Sequence, residues 1–211
     1  MKLWTVQNKL VLEAILEDGA YYPEYDKGKN NLPLKAAYKE LLANYNVINK
    51  REELGLIFAF HSLNGGQEVE EVEELYQYFQ LRPELENLFS SGNLEDYLIL
   101  ELDIDQAINF LPIDFNDYIK LSLWANYQRN YNEELLTIFK NEHDARKEIL
   151  AIKKYLPEGN LTSGLGSFIQ GHYHKIEAGD ILAVNEMIDF KTGELLPLGE
   201  AGRSWEKKIG E

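Results

Sequence analysis

The sequence predicts an α+β fold with a mixed or largely antiparallel sheet. Three observations carry this. Short apolar or alternating segments of strand length recur, segments of helical period stand between them, and turn-forming residues separate the two kinds. Their order is strand, helix, helix, strand, helix, strand, helices and two strands. At 211 residues, with 45% apolar and 12% aromatic content, the chain is long enough to bury a sizeable core. A single domain is expected over 1–195, followed by a loosely ordered, Gly-, Pro- and charge-rich tail over 196–211.

Residues 3–7 alternate, Leu3 and Thr5 against Trp4 and Val6, as a strand does. Leu10, Val11, Ala14 and Ile15 then fall at helical spacing, and Gly19 supplies the stop. The stretch 21–33 reads as loop, and Pro33 suits the first turn of a second helix carrying Ala37, Leu41 and Leu42. The apolar run 55–61, ending in His61 and followed by Asn64, Gly65 and Gly66, predicts a buried strand. Val69, Val72, Leu75, Tyr76 and Phe79 recur at three- and four-residue steps, so the acidic stretch 68–74 is the solvated face of an amphipathic helix. A central strand follows over 97–103. Asp105 and Asp114 are each placed to cap a helix, the second leading through Trp124 and Tyr127. Residues 133–155 keep a helical register until the turn at Pro157 and Gly159. From Ser167 the period returns to two, and 181–190 forms a last strand after a turn at Ala178 and Gly179.

Composition excludes several classes. No cysteine is present, which removes disulfides, thiolate metal sites and thiol nucleophiles. The net charge of −15 makes the average surface repel a phosphate backbone, so direct nucleic-acid binding is not expected. No apolar run reaches the roughly 20 residues that span a bilayer. The opening MKLWTVQNKL lacks the pattern of a secretory signal, so the expectation is a cytoplasmic protein without a membrane partner.

Polar chemistry concentrates in 167–184. His172 and His174 are two apart and share one face of a strand, joined there by Gln170. A Gln beside two His residues suits a cleft better than a dry core, because each buried polar group needs a partner. A solvated sheet face is the alternative. The His-Tyr-His pattern after Gly166 begins like the cupin metal motif, but Glu177 falls at the wrong spacing and no metal site is assigned. Ser62, Ser163 and Ser167 lie in no glycine-flanked elbow, and Glu101 with Asp103 cannot be singled out in so acidic a chain. Nucleotide-fold glycine signatures are absent.

Three segments together, LWTVQ, ILELDIDQAINFLPIDFNDY and FIQGHYHKIEAGDIL, resemble a bacterial domain-of-unknown-function family of short proteins that open with a Trp-Thr-x-Gln strand. The resemblance implies an α+β fold and no particular activity. The layout is more distantly similar to that of ADP-ribosyltransferase-like domains, in which a late strand carries a glutamate that stabilises a ribosyl cation. Gln170 stands near that glutamate's place, and a carboxamide binds a ribose hydroxyl but offers no charge to the cation. The resemblance therefore implies nucleotide binding ahead of catalysis.

Two readings follow. In the first, Gln7, His61, Gln170, His172 and His174 line a cleft at strand ends that takes a nucleotide or another small polar ligand. In the second, Glu68, Glu70, Glu71, Glu73 and Glu74 present phosphate-like carboxylates to a basic protein partner, as a DNA mimic inhibiting a nucleic-acid enzyme does. Whether there is catalysis, and with what cofactor, is not fixed by any motif.

Overall fold

The structure, a computed structural model, describes residues 2–23, 55–63, 67–83, 86, 93–104, 113–130, 136–155, 169–173 and 175–209. The fold is α+β, and its sheet is antiparallel at every recorded pairing. In chain order the elements are β1 (Lys2–Asn8), α1 (Lys9–Asp18), β2 (Ala20–Tyr21), β3 (Ile57–Leu63), β4 (Gln67–Glu68) and α2 (Val72–Leu81). They continue as β5 (Tyr97–Asp103), β6 (Ile113–Asp114), α3 (Phe115–Asn130), α4 (Glu142–Tyr155), β7 (Ile169–Tyr173), β8 (Ile176–Glu177), β9 (Ile181–Ile188), β10 (Leu195–Leu196) and α5 (Gly199–Ile209). The main sheet runs β10-β9-β5-β1-β3-β7-β6, with β4 beside β3, and β2 pairs separately with β8.

The alternation in β1 is what makes it central. Trp4 enters one core with Phe60, Ile99 and Met187, whereas Leu3 enters a second with Ile57, Ala59, Leu98 and Leu100. Because successive side chains of a strand point to opposite faces, both faces of the sheet are covered. Leu75 and Phe79 of α2, Tyr118, Leu121 and Trp124 of α3, and Ile149 and Ile152 of α4 pack on the Trp4 face. Val11, Leu12 and Ile15 of α1 pack with Ala201 and Trp205 of α5 on the Leu3 face.

Local signals set the helix ends. The Asn8 side chain accepts from Leu10 N–H at 3.0 Å and starts α1, and Gly19, at φ 80°, ends it with its N–H on Ile15 O at 2.9 Å. The helix expected from Val69 begins three residues later. Val69 is held by the β3–β4 hairpin instead, its N–H donating to His61 O at 3.0 Å and its carbonyl accepting from Trp4 Nε1 at 2.9 Å. Of the single helical register expected over 133–155, the described residues form an α-helix from Glu142, where Asn141 caps it, Oδ1 accepting from Asp144 N–H at 2.9 Å. The expected second helix at Pro33, the cap at Asp105 and the turn at Pro157 lie outside the described residues.

Two further differences bear on function. The tail expected to be loose is α5 from Gly199, with Ala201 and Trp205 buried four residues apart, one helical turn that Gly and Pro content conceals. The last two long strands are not neighbours. Between β7 and β9 lie β3, β1 and β5, and the chain crosses them through β8, pinned by Ala20–Glu177 and Tyr21–Ile176 pairing and by Ala178 N–H on Gly19 O at 2.9 Å.

Candidate functional site

The five residues predicted to share a cleft divide. His61, Gln170 and His172 belong to the adjacent strands β3 and β7, with Gln170 opposite Phe60 and His172 opposite Phe58. His174 lies outside the described residues. Gln7 is on β1, and since Trp4 faces Phe60 in an antiparallel pair, Gln7 points toward the Ile57 end and His61 toward the Leu3 end. At ~3.3 Å per residue the two are separated by about 13 Å along the strands. Gln7 is also engaged locally. Its Nε2 donates to Thr5 Oγ1 at 2.7 Å, and that hydroxyl donates to Phe58 O at 2.7 Å, so the carboxamide satisfies a buried threonine on its own strand.

The register of β3 against β7 slips between Phe60 and Ser62, and His61 occupies the slip. Such a bulge inserts one residue, bends the strand and re-aims side chains. The imidazole Nε2 stands 4.0 Å from Glu68 Oε1. Beyond the bulge a row runs across three strands, Ser62 opposite Ile169 and Ile169 opposite Asp114. Ser62 and Asp114 are buried at 3% and 1% exposure, and Asp117, one turn into α3, at 3%.

Asp114 is the most unusual of these. Its Oδ1 accepts from Asn116 N–H at 2.7 Å, which caps α3. Its Oδ2 is buried with no hydrogen-bond partner. A carboxylate can accept about four hydrogen bonds, and the helix start uses one oxygen only. The cap was legible as Asp before a helical run; the second oxygen was not. An Asp at the cap and another three residues later, Asp114 and Asp117, is the one sequence signal that two carboxylates share this helix end.

Carboxylates elsewhere are used structurally. Glu142 accepts from Arg146 Nη2 at 2.6 Å and from the Tyr127 hydroxyl at 3.0 Å, which together hold its carboxyl below the ordinary value. An open hollow of about 350 Å³ beside it, between Tyr127 and residues 136–142, includes none of the predicted site residues. Glu177 pairs with Lys175 at 2.8 Å, and its N–H is taken by Asp180 Oδ2 at 2.7 Å. Among the described residues no group of three or more His, Asp or Glu could hold a metal ion.

In the acidic stretch Glu68, Glu70, Glu71 and Glu73 are exposed, whereas Glu74 turns back so that Oε2 accepts from Glu70 N–H at 2.9 Å. Lys2 reaches the same segment, donating to Glu70 O and pairing with Glu101 at 2.8 Å each; Glu101 raises its ammonium above the ordinary value. No helix among the described residues is long and apolar enough to cross a membrane.

No protein-family model, curated protein or solved structure matches the chain.

Proposed function

We propose that the chain binds a small polar ligand at the end of the sheet where β3, β7 and β6 meet the start of α3. The observation that carries this reading is the buried, unpartnered Oδ2 of Asp114. An acceptor of this kind is costly in the absence of a donor, so its retention favours a ligand that supplies one. Ser62 and His61 at the bulge add a hydroxyl and an imidazole, and Gln170 and His172 occupy the strand between. The ligand should present hydroxyl or amino donors. Two carboxylates would repel a phosphate, so a nucleotide would enter with its ribose hydroxyls or base amine toward Asp114 and its phosphates toward solvent. The layout similarity to ADP-ribosyltransferase-like domains is in keeping with such a ligand. Gln7, engaged with Thr5, is outside this group.

Calorimetric titration and thermal shift with adenosine, NAD and nucleoside triphosphates test the reading. Binding is expected for at least one nucleoside-containing ligand, to be lost in Asp114→Ser and weakened in His172→Ala. A panel that leaves the melting temperature unmoved sinks it.

A second reading rests on the exposure of Glu68, Glu70, Glu71 and Glu73 on one hairpin and helix start. In it, this strip docks on a basic protein surface in place of DNA phosphates. Reversing these four charges should then abolish a salt-sensitive association, and unchanged affinity removes the strip from consideration.

A further inference from the structure

The outer edge of β9 is the longest stretch of strand that no other strand covers on that side among the described residues. β5 pairs with it from Leu98 and Glu186 to Leu102 and Ile181, but on the other side β10 reaches only Met187 and Ile188. The direction of its main-chain groups can be read from the turn that follows. Asp189 N–H donates to Glu194 O at 2.9 Å, in register with the β9–β10 pairs, so Asp189 bonds outward. Strand residues alternate in direction, which makes Met187, Asn185 and Ala183 outward-bonding and leaves Glu186 and Val184 to the β5 ladder. Residues 183–185, Ala-Val-Asn, carry neither lysine nor proline, and the one irregularity of the edge is at Leu182, 52% exposed, where the register against β5 slips.

We propose that this edge receives an added strand from a basic, extended partner segment. Main-chain hydrogen bonding defines the occupant as a strand, and charge decides whose strand it is. Along β9 and the hairpin that follows stand Glu186, Asp189 and Glu194, against Lys191, which pairs with Glu86 at 3.2 Å. A second copy of β9 brings the same carboxylates, Glu186, Asp189 and Glu194, to this edge and so is disfavoured by like charge. A segment that alternates apolar residues with Lys or Arg meets the same carboxylates with opposite charge.

The test uses the full chain and a synthetic heptapeptide alternating valine and lysine, with a valine–glutamate peptide as control. The lysine peptide should slow amide exchange at Ala183 and Asn185 by about tenfold or more and bind less tightly as salt is raised. Ala183→Pro should weaken that binding about tenfold or more while keeping the fold, since it removes an outward N–H only, whereas Val184→Pro should lower the melting temperature by breaking the β5 ladder. Should Ala183→Pro fail to fold, Asn185→Pro removes the next outward donor. Equal binding of the two peptides overturns the proposal. So does slow exchange at Ala183 and Asn185 without peptide, or a dimer in sedimentation that Ala183→Pro dissolves.

Discussion

Replacing Asp114 with serine separates the two roles of its carboxylate. Oδ1 caps α3, and Oδ2 lies buried without a partner. A serine hydroxyl keeps a capping acceptor, since Ser and Asp rank about equally at that position. What disappears is the second oxygen and the charge. A buried acceptor without a hydrogen bond costs about 1–3 kcal/mol. Against this, the field of the helix start favours a carboxylate by about 0.3–1 kcal/mol. The unliganded Asp114→Ser protein should therefore be more stable than the parent by about 1 kcal/mol, a rise of about 2–4 °C in melting temperature for a chain of this size. Asp114→Ala gives up the cap as well and should fall about 1 kcal/mol below the serine variant, close to the parent. Urea unfolding at neutral pH reads all three, and equal slopes against denaturant would show that the unfolded state is unchanged. With ligand at a hundred times its dissociation constant the parent gains about 2.7 kcal/mol that the serine variant does not, and the order reverses. A serine variant destabilised by about 2 kcal/mol or more without ligand would mean that Oδ2 is already satisfied. The reason for placing a ligand there would then be gone.

Phe79→Ala should cost about 3–5 kcal/mol, and a double-mutant cycle with Phe190 should return a coupling of about 0.5–1.5 kcal/mol. The two rings stack at 4.8 Å with 8° between their planes; a coupling of zero by urea unfolding would contradict that geometry. Trp205→Ala should destabilise by about 3–5 kcal/mol, because α5 buries this ring against α1, and a variant as stable as the parent would return the C-terminal segment to a loose tail. Glu142 has a depressed folded value, so its contribution to stability is complete above its ordinary value of 4.5 and is lost as pH falls through the folded one. Carboxyl NMR titration should find Glu142 below the ordinary range and moved upward in Arg146→Gln, and an unmoved titration would refute the pairing.

The elements legible in the sequence are those whose signal is local. Alternation over Leu3, Trp4, Thr5 and Val6 marks a strand because successive residues of β1 face different cores, and YLILELD coincides with β5 because a central strand is apolar on both sides. Gly19 ends α1 as expected, since only a residue tolerant of positive φ closes a helix so tightly. The starts of α2 and α4 were misplaced for one reason. A helical apolar period says which residues face a core, but the first turn is decided by hydrogen bonds, and Val69 and Asn141 spend theirs on a hairpin and on a cap. In the candidate site, Gln170 and His172 were recognisable as polar residues on a strand, and His61 as a strand end. Gln7 and Thr5 are two apart on one strand, a relation that alternation does encode, whereas Asp114 comes to lie across Ile169 from Ser62 through pairings between distant segments, and no local pattern encodes them.

The separation of β7 from β9 has the largest consequence for function. Read along the chain, the two strands look like a hairpin joined at Ala178 and Gly179, which would put the polar residues of 170–174 beside those of 181–190. In space, four strand spacings of ~4.8 Å, about 19 Å, lie between them. Tyr173 and Ile181 are eight residues apart, a reach of about 27 Å when fully extended, enough to cover that distance with the 3-10 turn at Ala178–Asp180 included. Pairing with β2 and Gly19 holds the connection on the side of α1. The carboxylate site at β6 and α3 and the open edge of β9 therefore belong to opposite margins of the sheet. A ligand at Asp114 and a strand at Ala183 would not compete for space. Any coupling between them would cross the hydrogen-bonded strands β3, β1 and β5 that lie between.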